Sequence, residues 1–140
     1  MDRDYYVVDA FTSDRYSGNA AAVVLDAQGL TDDQMRGIAS EFNLSETTFV
    51  LPARESATHM HGNGVAPLAR IHIRWFTPSV EVNICGHATI AGIHALFESG
   101  KLRPRDGAAA QSVQIETRSG LLTAYRESMP GQPNEAVIWL

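Results

Sequence analysis

The chain of 140 residues has the length of a single domain, which can bury roughly two-thirds of its unfolded surface. With 44% apolar and 19% charged residues it has an ordinary soluble composition, and a net charge of -5 without any basic run argues against nucleic acid as a partner. A single cysteine excludes an internal disulfide, and no apolar stretch approaches the length of a membrane span, so we expect a cytoplasmic protein with no membrane partner.

Two strands and a surface helix are predicted in the first third of the chain. Residues 5–11 and 20–25 are rich in β-branched, aromatic and small apolar side chains and flank a polar turn, which predicts a hairpin with a long loop. Asn19 leaves this loop and is a ligand group only if the loop faces a site, since a loop Asn usually serves turn geometry. Residues 30–43 predict an amphipathic helix, because Thr31 and Gln34 form the capping-box pattern.

The segment that follows this helix carries the first candidate for chemistry. Residues 44–51 read Leu-Ser-Glu-Thr-Thr-Phe-Val-Leu and predict a strand that places Glu46 among apolar side chains. A carboxyl group partly withdrawn from water is suited to general acid or base catalysis near neutral pH. The alternative is a solvated glutamate on an exposed strand face, which residue type alone favours.

A loop and a clearly alternating strand come next. Residues 52–68 predict the loop, in which His59 and His61 have a spacing that can bind a metal ion. No further histidine and no cysteine stands in this loop, so we predict no metal there. Residues 69–76 alternate between apolar and polar side chains, which predicts a half-buried strand.

Residues 76–97 form the stretch around which we expect the fold to be organised. Residues 80–84 alternate as a strand does, Cys-Gly-His turns the chain, and residues 88–97 are apolar or small on nearly every side. A helix that is apolar all round must be surrounded by protein, so we expect residues 89–97 to be nearly solvent-free. His94 within it is then a hydrogen-bonded core residue.

The start of this central helix is a candidate binding site. Unpaired amide groups and the helix dipole attract anions, so a small carboxylate is the natural ligand near Cys85, Gly86 and His87. A strand-to-helix turn without a ligand is an equal alternative on these features alone.

Three further strands are predicted at residues 113–117, 121–126 and 136–140. The resulting order is β-β-α-β-β-β-α-β-β-β. We predict an α+β fold, a β-roll in which a mixed, mostly antiparallel sheet wraps around a buried central helix. The alternative is an open sheet with both helices on one face, which fits less well because one side of the central helix would be exposed to water.

Five short motifs occur in one order and together resemble the amino-terminal half of the phenazine-biosynthesis F-like (PhzF-like) isomerases, which have the diaminopimelate epimerase-like fold. The motifs are Asp-Ala-Phe-Thr at 9–12, Gly-Asn at 18–19, Asn-Leu-Ser-Glu-Thr at 43–47, Arg-Trp-Phe-Thr-Pro at 74–78 and Cys-Gly-His-Ala-Thr at 85–89. The resemblance implies two similar domains, an active site between them, and chemistry without a cofactor. Residues 1–140 are then a single domain equivalent to the amino-terminal one, and the second domain is absent.

The resemblance also implies roles for individual residues. Glu46 is the proton-transferring residue, and Cys85 stands where related epimerases and racemases carry one of two catalytic thiols. The substrate-contacting groups implied are Asn19, Ser45, Cys85, Gly86, His87 and Thr89. No metal is expected among them.

The implied reaction is a proton transfer on a small carboxylic acid, with Glu46 removing the proton and returning it elsewhere. One alternative is an amino-acid epimerase or racemase that uses Cys85 as one base, its thiolate favoured by the helix start. Another is a non-catalytic half-domain that binds a small acid or a partner. Since the site is shared between two domains in the family, we expect a homo-oligomer or a requirement for the missing second domain.

Overall fold

The computed structural model describes residues 2–54, 66–107 and 110–140. In these ranges the elements follow one another in the predicted order. The strands are β1 (Tyr5–Ala10), β2 (Asn19–Val24), β3 (Thr47–Pro52), β4 (Ala69–Phe76), β5 (Glu81–Val82), β6 (Ala110–Thr117), β7 (Gly120–Met129) and β8 (Gln132–Trp139). The helices are α1 (Asp32–Phe42) and α2 (Gly86–Glu98), and neither is long and apolar enough to cross a membrane. His59 and His61 lie outside the described residues.

All the strands belong to one curled sheet. Its strand order is β1-β2-β3-β4-β6-β7-β8, and the short β5 pairs with β4 beside this path. The pairs β2–β3 and β4–β6 are parallel, and the other pairs are antiparallel. The prediction of a mixed, mostly antiparallel sheet is therefore confirmed.

The two helices cover opposite sides of this sheet. Helix α2 contributes Ile93 and Leu96 to the main core, where they pack with inward-facing residues of β2, β4 and β6. Helix α1 buries Met35 and Ala39 in a second cluster that includes Phe49. Thr31 caps α1 through the predicted capping box. The Thr31 hydroxyl accepts from the backbone N–H of Gln34, and the Gln34 side-chain oxygen accepts from the backbone N–H of Thr31.

The expectation that residues 89–97 are nearly solvent-free is wrong at His94. This residue is exposed, and Ile90, one turn before it, is partly exposed. Both line a cavity of about 510 Å³ that opens between β1 and β8. These strands are the two ends of the strand order and do not pair with each other in the described part of the chain, so the roll is open along this side of α2. His94 therefore faces the opening and is not a core residue.

The predicted strand at residues 80–84 is also shorter than expected. Only Glu81 and Val82 pair with β4, and Val80 and Ile84 are more than half exposed. A turn precedes the strand, because the Thr77 hydroxyl accepts from the Val80 amide and the Thr77 amide donates to the Val80 carbonyl. This turn uses the backbone groups that a longer strand would need for pairing.

Candidate active site

Glu46 stands at the end of a sharp turn that joins α1 to β3. Asn43 ends the helix in the left-handed conformation, with φ of 52°, which Asn tolerates better than most residues. The chain then reaches β3, and the Glu46 carbonyl accepts from the Ala22 amide of β2 at 3.3 Å. The backbone of Glu46 is thus tied to the sheet, and its carboxylate is directed from a fixed position.

Thr48 fixes the start of α2 against β3. Its buried hydroxyl donates to the Ala88 carbonyl at 2.7 Å, across 40 residues of sequence. The helix also lies close to this strand, because a Cβ added at Gly92 would approach the Thr48 Cγ2 to 3.0 Å. Sequence reasoning missed Thr48, although a polar residue inside an apolar strand is the signal that could have revealed it.

A second anchor holds the segment that leads into α2. Arg74 of β4 binds both carboxylate oxygens of Glu81, at 2.8 and 2.7 Å, and also binds Asp32 of α1 at 2.8 Å. Hydrogen bonding to the Arg74 guanidinium lowers the pKa of Glu81 below its ordinary value. The Asn83 carbonyl, two residues after Glu81, accepts a hydrogen bond from the Ser119 hydroxyl at 3.2 Å. The chain therefore enters the helix start from a fixed direction.

These anchors bring three titratable side chains together at the start of α2. The Nε2 atom of His87 lies 3.3 Å from the Oε2 atom of Glu46, and its Nδ1 atom lies 3.3 Å from the Sγ atom of Cys85. The Ser45 hydroxyl is 3.4 Å from the same Nε2 atom. We name Glu46, Cys85 and His87 the acid–base cluster, since one ligand atom from each lies within 4.8 Å of the other two.

The Glu46 Oε2 atom is buried and makes no hydrogen bond in the described residues. Its 3.3 Å contact with His87 has the distance of an ion pair but lacks hydrogen-bond alignment. An unsatisfied buried acceptor is costly, so a hydrogen-bond donor on a bound molecule would be favoured at this oxygen.

The expectation that the helix start favours the Cys85 thiolate is wrong. Burial raises the pKa of the Cys85 thiol above its ordinary value, and the nearby Glu46 carboxylate raises it further. The Ala88 and His87 amides face the sulfur and lower its pKa, but burial raises the pKa by more. Cys85 sits at the N-cap of α2 without a side-chain capping hydrogen bond. The thiol form is therefore favoured at neutral pH.

The remaining predicted site residues lie at the same end of the sheet but have different surroundings. Gly86 is exposed, and a Cβ added there would meet no atom within 4 Å, so open space adjoins the helix start. Asn19 is exposed at the first residue of β2, and no hydrogen bond joins it to the acid–base cluster within the described ranges. The Thr89 hydroxyl donates to the Cys85 carbonyl at 2.6 Å and is engaged within the helix.

The acid–base cluster also contains the donor types that zinc uses in proteins, a carboxylate, a thiol and an imidazole. However, the two ring nitrogens of His87 face different groups, and a metal ion could take only one of them. As arranged, the cluster is better suited to transferring protons than to holding an ion.

Comparison with known proteins places the chain in a family. A sequence profile described as phenazine biosynthesis-like protein matches residues 8–140. The chain belongs to the phenazine biosynthesis-like protein family. Among relatives, an uncharacterized isomerase of Halalkalibacterium halodurans is 40% identical over 90% of this chain and 40% of its own length. Phenazine biosynthesis-like domain-containing protein 2 of Mus musculus is 37% identical over 87% of this chain and 38% of its own length.

Solved structures of phenazine biosynthesis-like proteins share the fold. The protein of the PhzF family from Bacillus anthracis matches 99% of this chain and 40% of its own, with a TM-score of 0.74 and 34% identity. A hydroxyproline epimerase from Agrobacterium vitis matches with a TM-score of 0.58 at 17% identity, which shows a common fold alone. The α+β epimerase-like fold is thus confirmed, and the chain spans about 40% of the length of these relatives.

Proposed function

We propose that this chain supplies the acid–base part of a cofactor-independent isomerase that transfers a proton on a small carboxylic acid. The observation that carries the proposal is the position of the buried Glu46 Oε2 atom, which makes no hydrogen bond in the described residues, beside the start of α2. The isomerase names of several relatives support the same class of reaction.

The proposed mechanism uses the two features of this site in sequence. The Glu46 carboxylate takes a proton from a carbon of the substrate, and the electron pair left on that carbon is delocalised towards the substrate carboxylate. The positive end of the α2 dipole stabilises the negative charge that develops there. Protonated Glu46 then returns the proton to a second atom on the same face, so protons and electrons balance over the cycle.

The geometry favours this transfer over inversion of a carbon centre. Inversion needs two acid–base groups on opposite faces of the substrate, and the acid–base cluster offers its groups from one side, within 4.8 Å. Cys85 is also held in its thiol form, which makes it a poor base. An epimerase or racemase would therefore need its second base from outside the described residues.

We further propose that an active assembly covers the start of α2 with a second surface. Gly86 is exposed at this point, and electrostatic stabilisation weakens when a site is open to water. Since relatives are more than twice as long, that surface would come from a second copy of the chain or from a region that the relatives contain beyond the matched part.

A deuterium wash-in experiment tests the proposal. The chain, at concentrations that favour association, is incubated in heavy water with small α-amino and β-hydroxy acids, and deuterium uptake is followed by mass spectrometry. We expect uptake at carbon with at least one acid, and a loss of at least about 100-fold in Glu46→Gln, the size typical of general acid–base catalysis. Glu41→Gln, on the exposed side of α1, is the matched control and should retain full uptake.

The non-catalytic alternative predicts a different result. If the folded chain binds a small acid but no acid takes up deuterium in any assembly state, a binding module is favoured. Retention of most uptake in Glu46→Gln would show that Glu46 is not the proton-transferring residue.

A further inference from the structure

The imidazole of His87 lies between two groups that each face a different ring nitrogen. The Cys85 thiol is 3.3 Å from Nδ1, whereas the Glu46 carboxylate is 3.3 Å from Nε2. The Ser45 hydroxyl, 3.4 Å from Nε2, can act as a donor or an acceptor and so imposes no constraint. The thiol and the carboxylate therefore decide which nitrogen carries the proton.

Counting donors and acceptors leaves one tautomer that suits both contacts. A neutral imidazole has one N–H donor and one nitrogen acceptor, and an ionised carboxylate can only accept. Nε2 must then carry the proton, because an Nε2 lone pair would otherwise face the negative Glu46 oxygen at 3.3 Å. Nδ1 is left as an acceptor, and we assign the Cys85 S–H group as its donor, although this group also lies within hydrogen-bonding reach of the Glu46 carboxylate.

We propose that Cys85 is a positioning residue whose thiol holds His87 in the Nε2–H tautomer and thereby places an N–H group, rather than a lone pair, beside the Glu46 carboxylate. This proposal rests on the proposed function in that Glu46 is taken as the proton-transferring group. The positive end of the N–H dipole then faces the negative carboxylate, which favours the present position of the carboxylate beside the ring. Cys85 thus contributes through His87, without touching the reacting carbon.

The surroundings of Cys85 agree with a donor role. Burial and the Glu46 carboxylate both raise the thiol pKa, so the S–H proton that the contact needs is retained at neutral pH. A role as catalytic base needs the thiolate, and zinc binding would turn one ring nitrogen of His87 away from its present partner. Both alternatives give distinct results in the experiment below.

Nitrogen NMR of the uniformly labelled chain tests the proposal without requiring turnover. The ring nitrogens of His87 are assigned by comparison with His87→Asn, at neutral pH and in the presence of a chelator. We expect one dominant Nε2–H tautomer in the unmodified chain, a mixture of tautomers in Cys85→Ala, and recovery of the single tautomer in Cys85→Ser, whose hydroxyl can also donate. His94, on the exposed side of the same helix, is an internal control whose resonances should not change among these variants.

Several outcomes would overturn the proposal. The thiol does not determine the tautomer of His87 if the unmodified chain shows a dominant Nδ1–H form or a doubly protonated ring across neutral pH. An unchanged single tautomer in Cys85→Ala would show the same. A resonance shift on removal of zinc by the chelator would assign the cluster to metal binding.

A second measurement separates positioning from direct chemistry. In an assembly active in deuterium wash-in, Cys85→Ser should keep most of the rate, and Cys85→Ala should lose about 10-fold to 100-fold, as when partners that orient a metal-bound histidine are removed. Equal loss in both variants would mean that the sulfur itself reacts. Failure of the proposed function would appear instead as full wash-in by Glu46→Gln, whatever the His87 tautomer.

Discussion

At the scale of single residues, Cys85 shows how burial competes with a helix start. A thiol at an N-cap usually becomes more acidic, because backbone amides and the helix dipole stabilise the thiolate. At Cys85 two of these amides face the sulfur, yet loss of solvent and the adjacent Glu46 carboxylate outweigh them. The sequence places the cysteine at the helix start, but its protonation depends on Glu46, which is 39 positions away in the chain.

This competition predicts slow alkylation of Cys85 at neutral pH. Only the thiolate reacts with iodoacetamide, and a raised pKa means that the thiolate forms at a higher pH in the folded chain than in the unfolded chain. The alkylation rate, followed by mass spectrometry against pH, should have a midpoint above that measured in urea, which lies near about 8.5.

Glu46→Gln should move the midpoint of the folded chain downward, because it removes the negative charge beside the sulfur. Ser45→Ala changes no charge at the site and serves as the comparison. A folded midpoint below the urea value would contradict the burial argument.

At the scale of secondary-structure elements, local patterns predicted more than long-range contacts did. The capping box at Thr31 and the bounds of strand β4 depend on neighbours within a few residues, and both were confirmed. The prediction that β4 is half-buried is wrong, because its polar-face residue His72 is buried and none of its residues is exposed. The acid–base cluster was predicted only as a set of residues, because the Cys85–His87–Glu46 contacts depend on how Thr48 seats α2 against β3. Composition showed that α2 is apolar, but not that the sheet stays open beside His94, since closure depends on strands distant in sequence.

The anchor formed by Arg74 leads to a prediction about acid stability. Arg74 lowers the pKa of Glu81 and of Asp32, so its ion pairs stabilise the folded chain above the pH range in which free carboxylates titrate. Removing it in Arg74→Gln should lower the free energy of unfolding at pH 7 by on the order of 1 kcal/mol through Glu81. The difference in the free energy of unfolding between the variant and the unmodified chain should disappear as the pH falls below about 4 and through the lowered pKa values of Glu81 and Asp32 in the folded chain. Their protonated carboxyl groups no longer form ion pairs with Arg74.

Urea unfolding at pH 7 and at pH 3 measures this difference. Arg36→Gln is the matched control, since its partner Asp33 is almost fully exposed and the pair should contribute little at either pH. If Arg74→Gln lowers the free energy of unfolding equally at pH 7 and at pH 3, Arg74 acts by packing and not through its carboxylate partners.

At the scale of the whole molecule, the opening between β1 and β8 is the main feature that the fold leaves unfinished. Each of these strands is paired on one side only within the described ranges. Ile90 and His94 of α2 line the cavity between them. Apolar side chains are exposed along both strands, among them Val7 on β1 and Val137 on β8. Unpaired strand edges with apolar side chains favour association with another strand.

The same opening determines what kind of assembly we expect. The chain spans about 40% of the length of its relatives, and the edges of β1 and β8 in the described ranges are available to pair with another strand. A second copy related by a two-fold axis can pair one exposed edge with its equivalent and bury apolar surface from both copies at once.

We therefore predict that the chain self-associates through its exposed strand edges. Sedimentation of the unmodified chain should show a dimer or larger species whose share increases with concentration. Val137→Lys should shift this equilibrium towards the monomer, because a charge on an edge strand opposes pairing, whereas Ser40→Lys on the exposed side of α1 should leave it unchanged. Deuterium wash-in measured on the same samples should follow the associated fraction, since covering the helix start strengthens its electrostatic contribution. A chain that stays monomeric at every concentration and still shows full wash-in would contradict both the association and the need for a second surface.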